Sequence, residues 1–228
     1  MKKIVFGAIV ALISTSCVYN LHLNWGDKSR VVCNGPVETR TFDLTGFNAI
    51  TVNGSADVEI FQADTFGVSV TANTPVFDYL DYKVEEGVLI LETKDHVHIK
   101  AETFDITIHM PELTNLTVNG AADADLKGGY ASDKDLEVIV NGAGDYDIKD
   151  IKLPRLAIVI NGAGDIKAQD IEVENLSVDV HGAGDVKLSG VAGTTSLSVS
   201  GAGDIDAIGL DCNNVQTHKS GIASIKLK

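Results

Sequence analysis

The sequence predicts an all-β protein: a right-handed parallel β-helix with coils of about 20 residues, preceded by a less regular β region. Three observations predict it. Glycines recur at 120, 142, 162, 182, 201 and 221, in steps of 22, 20, 20, 19 and 20 residues. Around them stand VNGAADADL, VNGAGDYDI, INGAGDIKA, VHGAGDVKL, VSGAGDIDA and KSGIASIKL, with an outlying copy, VNGSADVEI, at 52–60. Self-similarity at a fixed period marks a solenoid. On both sides of each glycine apolar residues alternate at period two, as in Val138/Val140, Ile158/Ile160 and Ile166/Ala168. No stretch of the second half carries the 3.6-residue stripe of a helix.

The first seventeen residues form an export signal. Met1-Lys2-Lys3 is basic, residues 4–13 are apolar apart from Gly7, and Ser14-Thr15-Ser16-Cys17 follows. Such a run is too short to anchor a chain across a bilayer, which takes about 20 residues. Its end resembles a bacterial lipobox, in which small residues precede a cysteine that is acylated and becomes the new N-terminus. Ser14 stands at the −3 position, where leucine is usual. Cys17 is therefore the expected lipidation site, and the expected location is the cell envelope, at the outer membrane, with the membrane as partner through the lipid. Cleavage removes Lys2 and Lys3 and takes the formal charge from −14 to −16, two lysines fewer with no acid lost. A surface this acidic repels phosphate backbones, so nucleic acid is not expected as a partner.

Residues 18–35 read as a tether. Cys33 and Cys212 could pair in an oxidising periplasm. They lie near opposite ends of the folded chain, and a bridge needs Cα atoms within about 7 Å, so free thiols are expected. Residues 36–112 hold strand-like runs without a clean period, among them ADVEIFQ, GVSVTA, VLILET and FDITIHM, with a hairpin-like turn at Gly87. His96 and His98 flank Val97 and are expected to share one strand face. With His109 they could form a metal site, but a solvated strand face explains them without one.

Residues 113–228 form the regular coils. Equivalent residues are expected to stack about 4.8 Å apart. The inner columns read Leu116, Val138, Ile158, Val178, Leu197 and Val118, Val140, Ile160, Val180, Val199, with a third at Ile151, Ile171, Val191, Leu210. Lys219 replaces the inner aliphatic in the last unit, a guard against end-to-end stacking.

The motif residues have structural roles available to them. The first glycine suits a positive φ at a corner, and the second, replaced by Ala56, Ala122 and Ala223 in outer copies, is helpful rather than required. The column Asn119, Asn141, Asn161, His181, Ser200, Ser220 can hydrogen-bond along itself and to corner amides. His181 has no neighbouring ligands in sequence and reads as a corner histidine. Asp145, Asp165, Asp185 and Asp204, preceded by Asp123, form a candidate surface column. Two unit charges 4.8 Å apart in water repel by roughly 0.9 kcal/mol, so the column needs compensation. Corner amides, the adjacent column Asp125, Asp147, Lys167, Lys187, Asp206, or bound calcium could provide it. One carboxylate per coil supplies few of the 6–8 oxygens calcium takes, so amide-capped corners are expected, with no metal and no cofactor.

Several ordered motifs carry a family resemblance: ETRTFDLTGFNAITVNGSADVEI (38–60), GVLILET (87–93), FDITIHMPELTNLTVNGAADADL (104–126) and the NGAGD units. Over about 34–228 the chain resembles the head GIN domain family of secreted and lipoprotein-type bacterial proteins, the "putative auto-transporter adhesin". The resemblance implies a β-helical fold and an envelope location, and carries over no catalytic residue.

The function expected is non-enzymatic: an adhesin-like envelope lipoprotein that binds a surface glycan or protein. Two alternatives remain open, a structural spacer without ligand and a polysaccharide-active β-helix enzyme. The enzyme would need clustered carboxylates with a basic residue, yet Arg155 is the only arginine after Arg40 and there is one tryptophan. Acylation is directly testable. Metabolic labelling with a palmitate analogue is expected to mark the wild type and not Cys17→Ala, and equal labelling of both would remove the lipid anchor.

Overall fold

The computed structural model describes residues 30–228, and these fold as a parallel β-solenoid of about six turns. Cys17 and the stretch 18–29 of the expected tether lie outside the described residues.

The coil stacking follows the repeat. On the side preceding the motif glycine, Val88–Thr93, Ala49–Gly54, Asn115–Gly120 and Leu136–Gly142 lie parallel in that order. The stack continues through the later parts of Asp145–Ile160, Asp165–Gly182, Val186–Gly201 and Asp204–Gly221. On the side following the glycine, Phe104–Met110, Asp57–Gln62 and Asp123–Lys127 lead into the beginnings of the same long strands and end on Ser224–Leu227. A third side starts where Tyr130–Ala131 pairs with Ile151 and Lys152. The outlying copy at 52–60 is thus a true coil, with Val52 on Val118, Asn53 on Asn119 and Val58 on Ala124. Residues 63–112 are an excursion that adds one more layer, Val88–Thr93 and Phe104–Met110, on the outer side of this coil before the chain returns to Asn115–Gly120 on its other side.

That excursion closes one end of the stack. Gly67–Asn73 runs antiparallel to Phe104–Met110, and Val37–Phe42 antiparallel to Gly67–Asn73. Leu80–Glu85 runs antiparallel to Val88–Thr93. Antiparallel ribbons therefore finish two of the solenoid's sides. The other end is open: in Asp204–Gly221, only Asp204–Ala207 finds a further strand, Ser224–Leu227, and 216–222 is exposed.

The predicted inner columns are buried, from Leu116 and Val118 through Ile158, Ile160 and Val180 to Leu197 and Val199. Stacked aliphatics on a pleated surface bury one face of every coil against the next. One position departs from the reading: Val191 is 54% exposed. The coil that carries it is one residue shorter, and the register shifts after Ala168, setting Ile171 beside Gly190. Side chains alternate, so the lost residue turns Val191 outward and brings Ala192 into the core beside Val173.

The glycines also depart from it. Gly142, Gly162 and Gly182 do not have positive φ, although Gly120 and Gly201 do. What excludes a side chain is space. A Cβ at Gly142, Gly162 or Gly182 would sit 1.8, 2.0 or 2.0 Å from the carbonyl oxygen of the motif glycine in the preceding coil. The second glycine is as confined at Gly184 and Gly203, where a Cβ would lie 2.2 and 2.1 Å from the carbonyl oxygen of the coil before, and less so at Gly164.

Cys33 and Cys212 are free: Cys33 is buried in Arg30–Cys33, and Cys212 is half-buried in the last long strand. Burial, then the Asp78 carboxylate, pushes the Cys33 thiol up.

These placements rank three variants. Ile160→Asp puts an unpaired carboxylate into the core at several kcal/mol, and Gly162→Ala forces two backbones apart at about 1–3 kcal/mol or more. Asp165→Asn lies outside and keeps an acceptor. Thermal melts are expected to show large losses for the first two and little change for the third. Equal losses for Ile160→Asp and Asp165→Asn would invert the inside and outside of the coil.

Candidate functional site

The corner before each motif glycine carries an amide ladder. Asn119 Nδ2 donates to Asn53 Oδ1 at 2.8 Å, Asn141 Nδ2 to Asn119 Oδ1 at 2.8 Å, and Asn161 Nδ2 to Asn141 Oδ1 at 2.9 Å. At the capped end Asn53 Nδ2 donates to Glu92 Oε2 at 3.3 Å. The other end meets His181, which breaks the run of amides and is exposed at its corner. Each internal amide thus uses one N–H and one lone pair along the column, leaving one of each for another partner.

The aspartates form a second ladder one corner further on. Asp123 Oδ1 accepts the Asp145 amide at 2.8 Å, Asp165 Oδ1 that of Asp185 at 2.9 Å, Asp185 Oδ1 that of Asp204 at 2.9 Å, and Asp204 Oδ1 that of Ser224 at 3.0 Å. The Asp165 amide instead donates to Gly144 O at 2.9 Å. Charge-assisted bonds of this kind offset the repulsion between stacked carboxylates. The adjacent column runs in the expected register, with Asp147 beside Lys167 and Lys187 beside Asp206. Asp145, Asp165 and Asp185 are exposed; Asp165 and Asp185 each cap the corner of the next coil. Among the described residues, no three His, Cys, Asp or Glu side chains gather as a metal site.

Toward the capped end this column becomes crowded. Asp57, Glu59, Asp105, Asp123 and Asp125 border a hollow of about 490 Å³. Burial, then the charges of Asp123, Asp105 and Asp125, raises the Asp57 carboxyl. Lys127 bridges Glu59 at 3.2 Å and Asp125 at 3.1 Å. Beneath the neighbouring corner, burial and then Asp123 and Asp145 push the Tyr146 phenol up to about 12.

The histidines of the first half are arranged differently from the sequence expectation. His96 ends a 3-10 turn, Lys94–His96, while His98 begins the strand His98–Ala101, so they share no strand face. His109 lies elsewhere, stacked on Phe61 with ring centroids 5.2 Å apart. His96 and His98 nonetheless border one cleft of about 550 Å³, with Thr93 on their side and Asn53, Ser55 and Asn119 opposite. The turn is held in an unusual backbone state: Asp95 and His96 both have φ of 52°. Left-handed non-glycine residues cost about 1–3 kcal/mol each and persist only where the surroundings hold them. Here Thr93 Oγ1 donates to Val97 O at 2.7 Å, the Val97 amide donates to Lys94 O at 3.2 Å, and Lys94 Nζ donates to Asp78 O at 2.8 Å.

Arg155, the lone arginine of the coils, borders another hollow with Asp133, Asp135 and Glu137, all four exposed.

The comparisons with known proteins follow this architecture. The model of the family described as "Putative auto-transporter adhesin, head GIN domain" matches residues 46–228, from just before the first coil to the last. The chain belongs to the head GIN domain family. Solved structures share the fold at low identity. A "putative lipid binding protein" from Parabacteroides distasonis has a TM-score of 0.78 at 23% identity, over 88% of this chain and 100% of that one. A "putative adhesin" from the same organism gives 0.73 at 18% identity, over 87% and 84%. One from Bacteroides fragilis gives 0.70 at 16% identity, over 87% and 100%. No curated protein matches the chain. The head GIN domain family and these neighbours carry adhesin or binding names rather than enzyme names.

Calcium distinguishes capped corners from an ion ladder. With capped corners, millimolar calcium is expected to raise the melting temperature slightly by screening an acidic surface, and magnesium nearly as much. A large calcium-specific rise, lost in Asp165→Asn combined with Asp185→Asn, would instead show occupied sites adding their binding free energies.

Proposed function

We propose that the protein is a non-enzymatic, adhesin-like binding module of the cell envelope, held to the membrane by a lipid on Cys17 and binding a surface glycan or protein. The observation that carries this reading is the contrast between two long flat sides of one rigid stack. The side after the glycine is charged, with Asp57, Asp123, Asp145, Asp165, Asp185 and Asp204 in one column. On the side before it, Thr51, Thr117, Ile139 and Val159 stack outward, half-buried and uncharged, beside the asparagine ladder, and Asp179 is the first charge in that column. A solenoid offers such surfaces over many coils, here roughly 30 Å at about 4.8 Å per step. The family names support the same reading. Among the described residues no helix is long and apolar enough to cross a membrane, and the proposed anchor is the acyl chain.

The mature chain with Cys17→Ala, applied to a glycan array and to immobilised envelope proteins with and without calcium, tests this. Saturable binding to a defined glycan or protein is expected. A chain that binds neither while remaining folded would favour a structural spacer, and turnover of a polysaccharide would favour the enzyme.

A further inference from the structure

We infer that the cleft between residues 93–98 and the first two coil corners is a binding site for a neutral, hydroxyl-rich glycan, with the asparagine ladder continuing the site along the solenoid. The inference rests on the binding-module reading above and narrows it to one place and one ligand chemistry.

The cleft, about 550 Å³, has the volume of a small-ligand pocket, and its lining rather than its size distinguishes it from the acidic hollow of about 490 Å³. Its polar side chains are Asn53, Ser55, Thr93, His96, His98 and Asn119. The chain carries 32 acidic and 18 basic residues, yet none of the described residues bordering this cleft is Asp, Glu, Lys or Arg. The nearby Glu92 carboxylate is engaged by Asn53 Nδ2 at 3.3 Å and by Lys83 at 3.2 Å, so the lining offers a cation no carboxylate of its own and an anion no lysine or arginine. Amides, hydroxyls and imidazoles both donate and accept, which matches the hydroxyls of a neutral sugar.

Two further features set the cleft apart from an accidental hollow. The turn bearing His96 holds two consecutive non-glycine residues at φ of 52°, tied down by the Thr93, Val97 and Lys94 hydrogen bonds. Strained backbone of this kind concentrates at ligand clamps. In addition, Asn119 belongs both to the cleft and to the ladder, so the column leads from the cleft onto Asn141 and Asn161. A linear polymer lying along the axis would meet one free amide N–H and one free lone pair at Asn119 and again at Asn141. A peptide strand would instead need unpaired backbone, and the corner amides here are already engaged, Ala121 N donating to Gly54 O and Ala143 N to Gly120 O at 2.9 Å each.

The test uses the mature chain with Cys17→Ala and neutral glucan, mannan, galactan and chitin hexasaccharides, with an oligogalacturonate as the anionic control. Binding is measured by calorimetry and by imidazole NMR resonances. At least one neutral hexasaccharide is expected to bind and to shift the His96 and His98 resonances, with the anionic control weaker. Ala121→Trp, which fills the cleft from an exposed corner, and His96→Ala are each expected to weaken binding at least tenfold. His181→Ala, beyond the ladder, is expected to change it less than twofold, and melts confirm that all variants are folded. Neutral-glycan binding indifferent to both cleft variants would overturn the cleft while leaving the glycan-binding module intact. Preference for the anionic sugar would overturn the assigned chemistry. Binding of a protein but no glycan would overturn the inference and leave the binding module standing, whereas binding of neither would overturn both.

Discussion

In the central coils a motif glycine lies over the carbonyl of the motif glycine in the coil before it, so closely that a methyl group would overlap the oxygen. Backbone rather than side-chain packing sets the distance between coils at this point. The amide after the glycine then reaches the same carbonyl, as Ala143 N does to Gly120 O and Ala163 N to Gly142 O at 2.9 Å. With this corner pinned, the residues on either side have no freedom to slip. The asparagines stack on one another, Asp123, Asp165, Asp185 and Asp204 each cap the next corner, and the aliphatics fall into columns.

Pinned register explains why one chain can carry two surfaces of such different character. A strand that slid by one residue would exchange its inner and outer side chains, placing Val159 where Ile160 belongs. Fixed corners forbid the exchange, so outward positions are free to vary without risk to the core. The charged column and the amide column are two uses of that freedom. The carboxylates find amide donors, and the asparagines find each other. Both ladders satisfy their corners locally, which keeps the stacked polar groups compatible with a stable rod.

Much of this was legible in the sequence because one physical unit is repeated. Val138, Ile158 and Val178 name their column as soon as their glycines are aligned, and the capping role of Asp165 follows from stacked charge needing a donor. Val191 misled because a coil with one residue fewer changes which side chains face inward, and spacing alone does not say on which side of the coil the residue is lost. Gly142 misled differently: a turn residue suggests a torsional reason, while the controlling fact is a carbonyl in another coil. The cleft was not legible. His96 and Asn119 meet only because residues 63–112 cross to the outer side of the 49–62 coil and stack on it, while Asn115–Gly120 stacks on its other side. The copy at 52–60 was the available signal, since aligning Asn53 with Asn119 brings that excursion back to the first corners.

The two ends of the stack are unlike. One is finished by antiparallel ribbons on two sides, while Val215 to Gly221 has a partner strand on one flank only, Lys219 stands in line with the buried Val199, and Ile222 is 88% exposed. In a solenoid each coil is stabilised mainly by its neighbours. Loss of order therefore has a direction: the terminal coil frays first, and each release exposes the next. Opening from the ribbon-covered end would have to disrupt antiparallel pairing and the buried Phe47, Leu89 and Ile106 before any coil came free. The glycine-pinned corners act as successive latches along this path, and the amides of the 136–142 strand are shielded far longer than those of 215–221.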